Sequence, residues 1–90
     1  MMTGRFFPNC DVVFKRLDDR MVLVHLGTNQ IFELNDTGAR VWELLQEGIR
    51  VDALVDHLTG EFEVDPSSLR TEIEALLSDL ISEGLIASRD

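Results

Sequence analysis

Ninety residues make one domain near the lower end of the usual size range, too small for a deep enclosed active site beside a core. Seventeen acids against eight bases leave a formal charge of −9, a field that repels phosphates and argues against DNA, RNA or an anionic membrane as partner. A lone Cys10 excludes an internal disulfide and suits a reducing cytoplasm, and no stretch approaches the roughly 20 apolar residues of a membrane span.

Residues 1–11 hold no apolar run long enough for a signal peptide and are expected to form a loosely ordered segment at the start of a single domain spanning 1–90. Val12 to Leu17 is rich in β-branched and aromatic residues, and Asp18-Asp19 follows as turn material. Met21 to Leu26 is almost continuously apolar, as expected of a strand with neighbours on both sides. Gly27-Thr28-Asn29 supplies the next turn, since Gly and Asn tolerate positive φ, and Gln30 to Leu34 reads as a third strand. Short turns in succession predict an antiparallel meander.

The period changes at Asn35. Asn35 or Asp36 caps a helix whose Val41, Trp42 and Leu45 share a face, and Gly48 stops it. A second helix is predicted over Val51 to Thr59, with Leu54, Val55 and Leu58 inward and Gly60 ending it; Arg50 is a poor cap. Asp65-Pro66 opens the third and best-marked helix, an N-cap followed by Pro at the first helical position. Leu69, Ile73, Leu76, Leu77, Leu80 and Ile81 recur at spacings of three and four up to Gly84. Leu85-Ile86-Ala87 is an apolar tail able to return to the core. Strands followed by helices define an α+β domain of winged-helix type, a three-stranded antiparallel meander packed on three helices.

The inventory for catalysis is thin. His25 lies in an apolar strand and His57 on a short helix, and neither sits at a recognised ligand spacing from Cys, Asp or Glu. A zinc site built from Cys10, His25 and His57 lacks a closed set of four ligands. Cys10 has no local base to activate it, and reads better as a small apolar filler. The acid pairs Asp18-Asp19 and Glu72/Glu74 fall in a turn and on a helix flank, where solvation explains them better than acid–base work. The glycines form no phosphate loop. No enzyme activity, metal or cofactor is expected.

A binding surface is better supported. The outer strand of a meander offers unpaired N–H and C=O groups to an incoming peptide. Phe32 and Leu34 alternate toward the core, leaving Ile31 and Glu33 on the other face. On the third helix the apolar residues span roughly 140°, with Leu77 and Ile81 at one margin beside Arg70 and Glu74. Such a stripe either buries entirely or lends its margin to an apolar groove with a charged rim.

The run from Asn29 to Leu45, with Phe32-Glu33-Leu34-Asn35, Thr37-Gly38-Ala39 and Val41-Trp42 in that order, resembles the central signature of PqqD-like proteins. Phe62-Glu63-Val64-Asp65, and Leu76-Leu77 through Glu83-Gly84-Leu85-Ile86, match its later pattern, so the resemblance covers about residues 12 to 87. It implies a precursor-peptide recognition element of pathways that make ribosomal, post-translationally modified peptides. Such members bind the leader of the precursor as an extra strand along their third strand, with the third helix as opposite wall. Carried onto this chain, the resemblance points to Gln30, Ile31, Phe32 and Glu33 for strand pairing and to Arg70, Ile73, Glu74 and Leu77 for the helix wall. Members of the pyrroloquinoline-quinone pathway usually have a Pro- and Gly-containing turn where this chain has Leu26-Gly27-Thr28-Asn29, and tend to lack Thr-Gly-Ala. The chain is therefore more similar to the stand-alone group that includes the leader-binding proteins of lasso-peptide pathways. The implied partners are a precursor peptide and a maturation enzyme, either a leader peptidase or a radical enzyme. The open edge also leaves a homodimer through that strand available. A winged-helix DNA-binding regulator is the alternative, opposed by Glu72, Glu74, Asp79 and Glu83, which outnumber Arg70 on the third helix.

Overall fold

The structure, a computed structural model, describes residues 5–88 and orders them as β1 (Phe6–Pro8), β2 (Val12–Leu17), β3 (Arg20–His25), β4 (Gln30–Leu34), α1 (Asp36–Gln46), α2 (Val51–Glu61), α3 (Pro66–Ser82) and β5 (Ile86–Ser88). Strands β2, β3 and β4 form the expected antiparallel meander in that order. Leu17 pairs with Arg20 across the Asp18-Asp19 turn, and His25 with Gln30 across the second. Asn29 closes that second turn at φ 59, a left-handed conformation that Asn tolerates better than most residues.

The register sorts the side chains by face. Met21, Leu23, His25, Val12 and Leu34 lie buried on the inner face, while Val13, Val24 and Ile31 line up across the outer one. The Gly27 N–H donates to His25 Nδ1 at 3.1 Å, which ties the buried ring to the turn that follows β3. Helix α1 packs on β3 with Ala39, Val41, Trp42, Leu44 and Leu45 buried. Asn35 starts it by accepting from the Gly38 N–H at 2.8 Å, a cap worth about 1 kcal/mol. A side chain on Gly38 would put its Cβ 3.2 Å from that of Leu34, so glycine is what lets the helix begin this close to β4. Trp42 is fully buried and its indole N–H has no hydrogen-bond partner among the described residues. That omission costs about 1–3 kcal/mol, less than the roughly 4–6 kcal/mol gained by burying an indole. Phe14 from β2 meets the ring edge-on, with centroids 5.9 Å apart.

Two expectations are corrected. Helix α2 runs through Gly60 to Glu61 rather than stopping at Thr59. Arg40 explains the extra turn: its Nε and Nη2 donate to the two Glu61 carboxylate oxygens at 2.8 and 2.9 Å, pinning the last turn of α2 to α1. These bonds hold the Glu61 carboxyl below its ordinary range. The opening segment is also more ordered than expected. Phe6–Pro8 pairs antiparallel with Ile86–Ser88, Phe6 is buried, and Asn9 reaches across to the Gly84 carbonyl through Nδ2 at 3.1 Å. Residues 1–4 of that segment lie outside the described residues. The apolar tail is thus the second strand of a small sheet, with Leu85 and Ile86 in the core.

Candidate functional site

β4 borders the meander, and no strand among the described residues pairs with its outer side. Alternate residues of an antiparallel border strand direct their N–H and C=O away from the neighbour, so β4 presents a row of backbone groups. Ile31 stands 72% exposed on its outer face, a large apolar side chain left in water beside that row.

Helix α3 passes alongside. Asp65 caps it by accepting from the Ser68 N–H at 3.1 Å, and Pro66 occupies the first turn. At the far end Gly84 adopts φ 73. The Gly84 and Leu85 N–H groups then return to the Ile81 and Leu80 carbonyls at 3.0 and 2.9 Å, the bond pair of a Schellman cap. This reversal drops Leu85 between the end of α3 and the sheet. Helix α3 packs on α1, α2 and β5, whereas β4 packs on α1 and β3, and a cleft stays open between α3 and β4.

The cleft has a volume of about 440 Å³ and is lined by Phe32, Glu33 and Leu34 from β4, by Leu76, Asp79, Leu80 and Glu83 from α3, and by Leu85. A second hollow of about 240 Å³ shares Leu76 and Asp79 with it and continues toward Glu72, Thr37 and Gly38. Together they make one furrow, apolar along its floor and acidic along its helical rim. Leu76 and Phe32 are half-buried; Leu80, Leu34 and Leu85 are buried beneath them.

Phe32 and Glu33 therefore line the furrow, and Ile73 lines its second hollow. Gln30 and Ile31 belong to the same strand edge but not to the lining. Arg70, Glu74 and Leu77 are not part of it. Leu77 is fully buried, because the core takes the middle of the helical stripe, through Leu69, Ile73, Leu77 and Leu80. The furrow lies on the opposite margin from the one expected, beside Leu76. A helical wheel at about 100° per residue places Glu72, Asp79 and Glu83 within about 60° of Leu76 on that side. Three acids stacked beside one apolar margin mark the helical side of the furrow, which Leu76, Asp79, Leu80 and Glu83 line.

Cys10 is exposed, His57 Nε2 lies 3.2 Å from Glu61, and no group of three or more His, Cys, Asp or Glu converges as a metal site among the described residues. No helix among them is long and apolar enough to cross a membrane.

A three-stranded sheet on three helices, with an open border strand flanked by an apolar furrow, defines a small α+β domain of winged-helix type. The chain belongs to the PqqD family: the family of coenzyme PQQ synthesis protein D (PqqD) matches residues 20–86. It is similar to the solved structure of TbiB1 in complex with the TbiA(beta) leader peptide, at 32% identity and a TM-score of 0.84 over 93% of this chain and 98% of that one. It is also similar to lasso peptide synthetase B1 complexed with the leader peptide, at 26% identity and a TM-score of 0.82 over 93% and 99% of the two chains. A comparison with curated proteins gave no match.

Proposed function

We propose that this protein is a non-catalytic recognition domain that binds the leader segment of a ribosomally made precursor peptide as an added strand along β4. The observation that carries this is the unpaired border of β4 running beside the Phe32–Leu76–Leu80 furrow. Main-chain hydrogen bonds to Gln30, Ile31, Phe32 and Glu33 hold the guest, and side chains seated in the furrow select it. Two similar structures at 93% coverage of this chain are leader-peptide complexes, which supports the same role here.

Ordering a flexible leader costs several kcal/mol, so affinity rests on apolar anchors more than on contact area. A bound leader is then raised in local concentration at an enzyme that the domain also contacts. That enzyme is a leader peptidase or a radical enzyme, with the lasso-peptide likeness favouring the peptidase. The whole chain acts as one domain in the cytoplasm, a setting that suits the free, exposed Cys10.

Titration of a fluorescent leader, taken from a small open reading frame beside this gene, tests the proposal by anisotropy. Saturable binding is expected. Absence of saturation up to about 100 μM, roughly −5.5 kcal/mol, would sink it.

A further inference from the structure

We infer that the segment this furrow accepts is cationic on its helix-facing side, with basic residues at alternate positions around an apolar anchor. The inference rests on the strand-addition proposal and specifies its guest. Glu72, Asp79 and Glu83 form the helical rim of the furrow. None of the three takes part in an ion pair among the described residues. Two acids on the strand side of the furrow are answered by bases: Asp36 by Arg16 at 2.8 Å and Glu33 by Arg20 at 3.4 Å. The one base on α3, Arg70, lies off the furrow. The rim therefore carries charge that the protein leaves unbalanced, beside an edge that already invites a strand.

The spacing suits a strand. Asp79 and Glu83 are about 6 Å apart along the helix axis, and side chains on one face of a strand recur at about 6.8 Å. Two basic residues two positions apart thus meet Asp79 and Glu83 in register, and a further one along the strand approaches Glu72. Lysine and arginine also suit the floor, since their stems lie along apolar surface while their heads reach a charged rim. Leu76 and Leu80 would carry the stems, and Phe32 with Leu85 would seat the apolar anchor.

The test is a display library of random segments of about 12 residues, roughly 40 Å when extended, sorted against the purified full chain. Three proteins are compared. They are the native chain, the rim variant Glu72→Gln/Asp79→Asn/Glu83→Gln, and a control with the same charge change on distant exposed acids, Asp18→Asn/Asp19→Asn/Asp56→Asn. Circular dichroism establishes that each is folded. Native protein is expected to enrich alternating Lys and Arg around an apolar residue. The selected peptides should bind the rim variant about tenfold more weakly and the control about equally, within about twofold. Raising NaCl from about 0.05 M to 0.5 M, which cuts the Debye length from roughly 14 Å to 4 Å, should weaken the native complex by a similar factor.

Enriched peptides without a basic bias, or equal losses in the rim variant and the control, would overturn the inference and leave strand addition standing. Enrichment of no segment at all, or binding undiminished by the uncharged polar replacement Leu76→Asn, would overturn strand addition together with it.

Discussion

Leu76 and Leu77 are neighbours in sequence and about 100° apart around α3, so truncating each separates binding from stability. Leu77 is fully buried, and Leu77→Ala should destabilise the domain by about 2–5 kcal/mol, through lost burial and the cavity left behind. At about 4–8 °C per kcal/mol for a domain this size, its melting temperature falls by at least about 8 °C. Leu76 is half-buried at the furrow. Its truncation removes three carbons, about 2.4 kcal/mol if fully covered, and about half of that burial is gained only when a guest lies over it. Leu76→Ala should therefore cost about 1 kcal/mol of stability and about 1.2 kcal/mol of leader affinity, roughly eightfold. Thermal melts followed by circular dichroism, and anisotropy with the labelled leader at about 10 °C, where both variants are folded, give the two numbers. A Leu77→Ala protein that is folded yet loses the leader, beside a Leu76→Ala protein that keeps it, would put the groove on the other flank and refute the assignment.

Other consequences are open to simple measurement. Gly60 lies inside α2 with open space around its Cα, so Gly60→Ala should stabilise by about 0.5–1 kcal/mol in urea unfolding; Gly84→Ala, forced to φ 73, should destabilise by a comparable amount. Phe6→Ala should cost about 3 kcal/mol if β1 is a working part of the core, whereas a melting point within about 2 °C of the parent would mean that the strand contributes almost nothing. The Arg40 guanidinium holds the Glu61 carboxyl below its ordinary value, so the stability it brings is present above the unfolded value, about 4.3, and is lost as pH falls through the lower folded one. Glu61→Gln lacks that contribution, and its melting point should converge on the parent's between about pH 5 and pH 3; a constant gap across that range would contradict the pairing.

Elements marked by short-range chemistry were legible in the sequence. Asp65-Pro66 announced α3, Asn35 or Asp36 announced α1, and the turns at Asp18-Asp19 and Gly27-Thr28-Asn29 set the meander, because caps and turns are local. The end of α2 was not, since Gly60 reads as a stop and only the distant Arg40 holds the last turn closed. β1 escaped for a similar reason. Three residues including a Pro carry no period, and their partner lies at the other end of the chain. At the site, the border strand followed from the meander, but the helix flank did not. Leu76 and Leu77 are equally apolar in sequence, and packing of α3 on α1 and α2 decides which of them the core consumes.

The furrow floor is drawn from both halves of the chain, Phe32 and Leu34 from the sheet and Leu85 from beyond the last helix. Its final piece arrives only when the Schellman reversal at Gly84 has formed and β5 has docked on β1. On the proposed reading, a guest meets a floor that only the two halves of the folded chain complete together. By the same coupling a guest that fills the furrow ties the two halves together, and occupancy at about 100 times Kd would add about 2.7 kcal/mol to the molecule's resistance to unfolding.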